Sequence, residues 1–339
     1  MSDTIDFVIT WVDGNDPEWQ EEMRSYLPEE DLGQGSSEER YREWDNLRYW
    51  FRGVERFAPW VRTVHLVTWG HVPSWLDLNH PKLHVVRHED FVPAEYLPVF
   101  SAHPLEANLH RIPGLSERFV YFNDDMFLCA PVRPADFFHN GLPRDIAALN
   151  VHCNARSQPI QQICINNVGV INDHFDFHTW VRENRHKILD PRYGKLLARS
   201  LVLLNCPRFP GFFNPHAPQP FVRHVFDEVW EAEPELLREV CSHRFRLPSD
   251  VSQWVFKDWQ IAKGGFWPRP ASYSQRFFFV GDEALAEAQR AADCIRAGKT
   301  RMVCPNDGPM TSEDFEVARA LVNGALDERL PQPSSFEVD

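Results

Sequence analysis

Short apolar runs alternate with amphipathic stretches through the first 135 residues. Ile5 to Thr10 (IDFVIT), Thr63 to Thr68 (TVHLVT), Leu83 to His88 (LHVVRH) and Phe119 to Phe122 (FVYF) are β-branched or aromatic runs of strand length. The stretches between them carry helix signals. Asp16 followed by Pro17 reads as a cap and first helical position. Asp45 reads as the cap of a helix whose buried side holds Leu47, Trp50, Phe51, Val54 and Phe57. Leu105, Leu109 and Ile112 form one apolar helix face, and Pro113-Gly114 ends it. The order strand, helix, strand, strand, helix, strand predicts an α/β fold with a Rossmann-like, mostly parallel sheet and flanking helices. In such a sheet Thr10 to Asp13, Thr68 to Gly70 and Asn123 to Asp125 open onto one edge, where open α/β sheets take their ligands.

After Pro134 the alternation fades. IAALNV and ICINNVGVI, between Asp136 and Asp173, read as strands. Phe175 to Leu204 reads as helical, with a basic stretch from Arg182 to Arg199. Phe221 to Val240 reads as a helix, Asp250 as the cap of a helix running to Ala262, and Asp282 to Gly298 as an Ala-rich helix. The expected organisation is residues 1–135 as a Rossmann-like half and 136–330 as a largely helical second half completing one catalytic domain. The tail from Pro331 is expected to be disordered. Pro28 to Arg40 (PEEDLGQGSSEER) reads as a mobile polar loop.

Composition narrows the function. The chain has 339 residues, 43% hydrophobic, with a net charge of −14. That balance argues against nucleic-acid binding, which needs a basic surface. An anionic substrate would then need local Arg, Lys or metal. The seven cysteines have no regular spacing, so neither a disulfide framework nor a zinc-finger site is signalled. The N-terminus has no basic region and its apolar run is too short for a signal peptide, and no stretch reaches membrane-span length. These features predict a cytosolic chain. No GxGxxG, P-loop or GxSxG motif occurs.

The candidate chemistry gathers around Ser101 to Leu128. His103, Glu106 and His110 share a helix face away from the apolar one. Asp124 and Asp125 follow a buried strand directly, and a divalent cation such as Mg²⁺ would relieve their charge. Asp13 has two readings, as a ligand contact at a strand end or as a turn residue. Arg48 and Arg52 lie four apart and suit phosphate, although surface arginines are the commoner case. His216 sits in a loop, Asn205 to Pro220, that is rich in proline and holds it at low entropy cost. Arg244 and Arg246 are two apart, so in an extended segment both point the same way and could reach one phosphate, with a solvated turn as the equal alternative. Thr300 to Gly308 repeats the theme of an apolar run ending in Asn306-Asp307.

Taken in order, these blocks resemble the Stealth family of sugar-1-phosphate transferases, which includes bacterial capsular polysaccharide phosphotransferases and the animal GlcNAc-1-phosphotransferase. The first block is Ile5-Asp6 through Thr10-Trp11-Val12-Asp13-Gly14-Asn15-Asp16-Pro17. The second covers Asp45-Asn46-Leu47-Arg48-Tyr49, Phe57-Ala58-Pro59-Trp60, Val72-Pro73-Ser74-Trp75 and His103 through Asp125. The third takes in His216 and Arg244-Phe245-Arg246 through Gln253, and the fourth is Val303-Cys304-Pro305-Asn306-Asp307. The helix reads HPLEANLHRIPGL where the family has HxIExxLHRIPGL, and Pro305 replaces a usual leucine.

The resemblance implies a GT-A-like fold and transfer of hexose-1-phosphate or N-acetylhexosamine-1-phosphate from a nucleotide-sugar, such as UDP-GlcNAc, to a glycan hydroxyl. Nucleoside monophosphate would be released, with Mg²⁺ or Mn²⁺ as cofactor. The implied process is capsular or other cell-surface polysaccharide synthesis, with peripheral association to membrane polysaccharide machinery. It implies His216 or Glu106 as base, Arg246 and Arg48 on the phosphoryl group, and Asp124 and Asp125 on the metal, with Asn306 and Asp307 completing that shell. Thr10 and Asp13 would line the nucleotide pocket, and His103, His110 and Arg111 would contact substrate. The alternatives are a metal-dependent glycosyltransferase releasing nucleoside diphosphate, and a non-catalytic sugar-binding scaffold.

Overall fold

The computed structural model describes residues 4–27, 41–154, 159–271, 275–281 and 283–338. The loop expected at Pro28 to Arg40 lies outside the described residues. The first half runs β1 (Ile5–Thr10), α1 (Pro17–Tyr26), α2 (Leu47–Phe57), β2 (Val64–Thr68), β3 (Leu83–Arg87), α3 (Ala102–Asn108), β4 (Arg118–Asn123) and β5 (Phe127–Leu128). Then come α4 (Pro134–Phe137), β6 (Phe138–His139), β7 (Leu142–Asp145), α5 (Pro159–His174), α6 (Phe177–Ile188), α7 (Lys195–Leu203) and β8 (Gln219–Val222). The chain continues through α8 (Arg223–Ala232), α9 (Pro234–Ser242), α10 (Trp254–Ala262), β9 (Trp267–Pro268), β10 (Gln275–Val280), α11 (Ala284–Ala297), β11 (Met302–Asp307) and α12 (Ser312–Arg329).

The main sheet has the order β3-β2-β1-β4-β8. Its first four strands are parallel, and β8 joins β4 antiparallel. This is the predicted Rossmann-like sheet. Its strands are buried on both faces, as their continuous apolar runs require: Phe7, Val8, Ile9, Val64, Leu66, Val67, Phe119, Val120 and Phe122 are all inaccessible to solvent. The chain winds outward from β1 to β3 and returns to β4 on the other side of β1. That reversal makes a switch point between the carboxyl ends of β1 and β4, where Thr10 pairs with Asn123. A smaller sheet, β10-β11-β5, abuts it through the chain that links β4 to β5.

Several sequence expectations differ from the structure. Residues 146–151 (IAALNV) form no strand beyond a single bridge from Leu149 to Phe212. The helix expected from Phe221 to Val240 begins after β8 and is broken before Pro234 into α8 and α9. Residues 163–171 (ICINNVGVI) lie in helix α5, not in a strand. Ile163, Cys164, Asn167, Val170 and Ile171 are its buried positions, a helical spacing hidden by β-branched residues. Asn167 is tolerated there because it exchanges hydrogen bonds with Ser252, through its Nδ2 at 3.0 Å and its Oδ1 at 3.1 Å. Asp45 does not cap α2. It has φ of +54°, its carboxylate pairs with Arg319 at 2.7 Å, and Asn46 occupies the cap position. Asp250 does not cap α10 either, because it is buried and bonded to two histidines.

The tail is packed rather than disordered. Phe336 is buried against Phe51, with ring centroids 5.2 Å apart. Glu337 takes two hydrogen bonds of 2.8 Å from the Arg52 guanidinium. Among the described residues, no helix is long and apolar enough to cross a membrane.

Candidate active site

A cleft of about 670 Å³ opens at the switch point, a size that suits a small-molecule substrate. Thr10, Trp11 and Val12 enter it from the end of β1, and Asn123, Asp124 and Asp125 from the end of β4. Two further arms converge there because of strand pairing. β8 runs antiparallel to β4 with Gln219 opposite Tyr121, so the residues just before it reach the level of Asp124. β11 runs antiparallel to β5 with Val303 opposite Phe127, which carries Asn306 to the same level. His216 and Asn306 are thus delivered to the acidic pair by register.

Asp125 is the hub. Its Oδ2 accepts from Asn306 Nδ2 at 2.8 Å, and lies 3.2 Å from both Cys304 Sγ and His216 Nε2. Its Oδ1 is buried and has no hydrogen-bond partner among the described residues. Burial alone would raise the Asp125 pKa, but His216, Asn306 and Cys304 together hold it below the ordinary carboxylate value. The converse holds for His216. Burial would lower its pKa, and the adjacent Asp125 raises it instead, helped by Glu106 and Asp124. The loop carrying His216 is anchored two residues earlier, where Asn214 accepts from Lys257 Nζ at 2.6 Å and donates to Asp258 at 3.3 Å.

Asp124 reaches the water of the cleft. Even so, the dense protein around it, Asp125 and Glu43 push its carboxyl up to about 7. Glu43 faces the same cleft, and burial with Asp13 and Asp45 nearby pushes it up to about 7 as well. Three carboxylates therefore crowd one wall, with an unpaired oxygen on Asp125. Oxygen donors of this kind fit a hard divalent cation. Asp125, His216 and Cys304 also offer ligand atoms within 4.8 Å of one another.

Glu106 is buried and fully engaged. Tyr121 donates its hydroxyl proton to Oε1 at 3.2 Å, and in turn pairs with Thr10 Oγ1 at 3.0 Å. The Gln253 backbone N–H donates to Oε2 at 3.1 Å. With its amide nitrogen turned to the carboxylate, the Gln253 side chain adds contacts of 2.9 and 3.3 Å. His103 also lines the cleft, its Nδ1 2.8 Å from Asp250 Oδ2. The second oxygen of Asp250 meets His243 Nδ1 at 2.7 Å. Arg246 lines the cleft, whereas Arg244 lies over the ring of Tyr26.

Of the residues singled out by sequence, the cleft brings together Thr10, His103, Glu106, Asp124, Asp125, His216, Arg246, Asn306 and Asp307. Asp307 differs in partner from the expectation of a metal shell. Its carboxylate is bound by Arg42, with Nε at 3.2 Å, and by Trp44 Nε1 at 3.3 Å. Four others do not line the cleft. Arg48 sits over the indole of Trp75, and Arg111 over that of Trp230. His110 is turned away because α3 tightens into a 3-10 turn at Leu109–Arg111. It stacks on Phe226, and burial pushes its pKa down to about 3. Asp13 closes a turn, accepting from the Asn15 N–H at 2.9 Å. Glu43, Arg42 and Tyr121 were not foreseen. The first two lie in an irregular polar segment, and Tyr121 is hidden within the apolar run of β4, where its hydroxyl is the one sign of a polar role.

Residues 40–145 match conserved region 2 of the Stealth proteins, and residues 3–31 match conserved region 1. The chain is 40% identical to a receptor polysaccharide phosphotransferase, WefC, of Streptococcus oralis, over 98% of this chain and 99% of that protein. It is 35% identical to a capsular polysaccharide phosphotransferase, WcwK, of Streptococcus pneumoniae, over 98% of each. It is 36% identical to an exopolysaccharide phosphotransferase, cps2G, of Lactiplantibacillus plantarum, over 98% of this chain and 96% of that one. Among solved structures, mouse xyloside xylosyltransferase 1 superposes with a TM-score of 0.33 at 11% identity, covering 89% of this chain and 98% of that one.

Proposed function

The chain belongs to the Stealth family of polysaccharide phosphotransferases, and from that membership we propose that it moves a hexose-1-phosphate or N-acetylhexosamine-1-phosphate from a nucleotide-sugar to a hydroxyl of a glycan. The observation that carries this reading is the arrangement at Asp125, one oxygen of which meets His216 while the other is buried with no hydrogen-bond partner among the described residues.

In this reading His216 is the base. Its Nε2–H donates to Asp125, which fixes the tautomer and leaves Nδ1 to take a proton. Glu106 is a poorer base, because its oxygens already accept from Tyr121 and Gln253. It contributes a fixed negative charge near His216 and orients the groups around it. The acceptor O–H gives its proton to His216 Nδ1, and the freed oxygen attacks the phosphorus that carries the sugar. The bond from that phosphorus to the oxygen bridging the two phosphates breaks. The electron pair leaves on the nucleoside monophosphate, and a phosphodiester remains. Arg246 meets charge on the phosphoryl oxygens. Thr10 borders the donor side.

Asp124 and Asp125 would hold the divalent cation, Mg²⁺ or Mn²⁺. When bound it neutralises the diphosphate. Asn306 steadies Asp125, and Asp307 anchors Arg42 at the rim. We place donor, cation and acceptor in one catalytic unit formed by both halves of the chain, with UDP-GlcNAc the first donor to try. The exposed Arg182, Arg185, His186, Lys195 and Arg199 of α6 and α7 suit a cytoplasmic enzyme working against membrane-bound polysaccharide machinery.

The test is the mass of the glycan product. Gain of a sugar together with one phosphate supports the reading. Gain of a sugar alone moves the chemistry to ordinary glycosyl transfer.

A further inference from the structure

Two large apolar side chains stand exposed inside the cleft, a costly arrangement for an empty surface. Phe277 and Phe279 are 48% and 46% exposed, and both line the cleft. They belong to β10, an edge strand paired, among the described residues, only with β11. Two positions apart on a strand, they project to the same side about 6–7 Å from one another.

The ring of Phe279 is seated. A Cβ at Gly281 would fall 2.5 Å from Phe279 Cε1, and one at Gly308 would fall 2.6 Å from Cζ. Neither glycine has a positive φ. The absence of a side chain at both positions is explained by the ring lying against their backbone. Phe279 therefore packs upon a glycine floor and still leaves nearly half its surface open. Phe277 meets the ring of His216 edge-on, with centroids 5.7 Å apart at 87°. The platform thus begins beside the group assigned as base and extends along the strand away from it.

We propose that Phe277 and Phe279 form the acceptor subsite, on which successive sugar rings of the glycan lie with their apolar C–H faces against the phenyl rings. This rests on His216 being the base, because the base meets the acceptor hydroxyl and so marks the acceptor side of the cleft. A sugar ring presents an apolar face and a polar rim. A flat aromatic surface covers the face without competing for the hydroxyls, which remain free for the attack and for water. Placement at an edge strand also suits a long polymer, which must run out of the site in at least one direction.

The experiment uses the full chain and Phe277→Ala, Phe279→Ala and Phe279→Leu. The probe is a hexasaccharide fraction from partially hydrolysed streptococcal capsular polysaccharide. Binding of this fraction is measured by calorimetry without donor, and KM for donor and acceptor is measured separately with turnover. Each alanine variant is expected to weaken glycan binding and raise acceptor KM about five- to tenfold, the loss typical of an aromatic face. Donor KM should stay within about twofold. Phe279→Leu, which keeps contact with the glycine floor but not the flat face, should lose binding like the alanine variant with an unchanged Tm.

A rise in donor KM with acceptor KM unchanged would overturn the proposal, assigning the rings to the nucleotide. A fall in kcat alone would reduce Phe277 to a support for His216 and overturn it equally. Failure of the unmodified chain to bind the fraction would also overturn it. Release of nucleoside diphosphate in the turnover assay would instead refute the phosphotransfer reading, while the calorimetric result for the platform would stand.

Discussion

Asp125 faces two ways: its Oδ2 lies 3.2 Å from His216 Nε2, across 91 residues of sequence, while its Oδ1 is buried without a hydrogen-bond partner among the described residues. One carboxylate thereby links a raised-pKa imidazole to a position that fits a cation. His216→Ala removes the base without disturbing the core, since His216 is only half-buried. Transfer should fall by about 10²–10⁴-fold, with circular dichroism and Tm close to the parent. Donor binding, followed by calorimetry, should persist.

Asp125→Asn keeps the shape but removes the charge. The variant should lose metal-stimulated activity, and excess Mg²⁺ should not restore it to parent level. Asp307→Asn should behave differently, because Asp307 is bound to Arg42 and Trp44. Its activity should remain responsive to Mg²⁺. Titrating both variants with the metal checks this, and equal loss of metal response would place Asp307 in the metal shell.

Glu106→Gln separates the two candidate bases. The carboxylate accepts from Tyr121 and Gln253, and the neutral amide can retain part of that network. Residual turnover should exceed that of His216→Ala by tenfold or more. A Glu106→Gln enzyme as inactive as His216→Ala would move the base to Glu106.

Much of the first half was legible in sequence because its signals are local. Buried parallel strands are continuous apolar runs, and the polar residues that end them fall on one edge whatever the details. The partnership of Asp125 with His216 and Asn306 was not legible as geometry. It depends on the register of β8 against β4 and of β11 against β5, which no local pattern encodes. The family resemblance put Arg48 on the phosphoryl group, whereas spacing favoured an ordinary surface arginine, and the residue lies over the indole of Trp75. Glu43 was missed because an irregular segment has no periodicity to place it. The α5 helix was misread because its β-branched content outweighed a helical burial pattern completed by the polar Asn167.

Asp6 links the start of β1 to stability at low pH. Burial would raise its pKa, yet hydrogen bonds from Arg62, His65 and the Ser116 N–H bring it down to about 2 from 3.8. Because the folded group titrates below its unfolded value, the stabilisation is complete above about pH 5 and is lost as the pH falls through 3.8 toward 2. Asp6→Asn should cost about 2 kcal/mol at pH 7. The difference from the parent, measured by urea unfolding, should shrink between pH 5 and pH 3. A difference that stays constant with pH would mean that shape rather than charge matters at this position.

The packed C-terminus gives a prediction far from the cleft. Phe336 is buried against Phe51, and Arg52 grips Glu337. Phe336→Ala should lower stability by about 3–5 kcal/mol. Activity at low temperature should be retained. A thermal melt with no shift would mean that the segment contributes no packing energy.

The identity of the nucleotide released separates sugar-phosphate transfer from glycosyl transfer. The purified chain would be incubated with UDP-GlcNAc and a panel of other nucleotide-sugars, with capsular oligosaccharide acceptors, in Mg²⁺ or in EDTA, and the nucleotides separated by chromatography. Metal-dependent sugar-phosphate transfer requires acceptor-dependent release of nucleoside monophosphate that EDTA abolishes. Release of nucleoside diphosphate would show that the sugar C1–O bond breaks instead of the bond between the phosphates, and would contradict it.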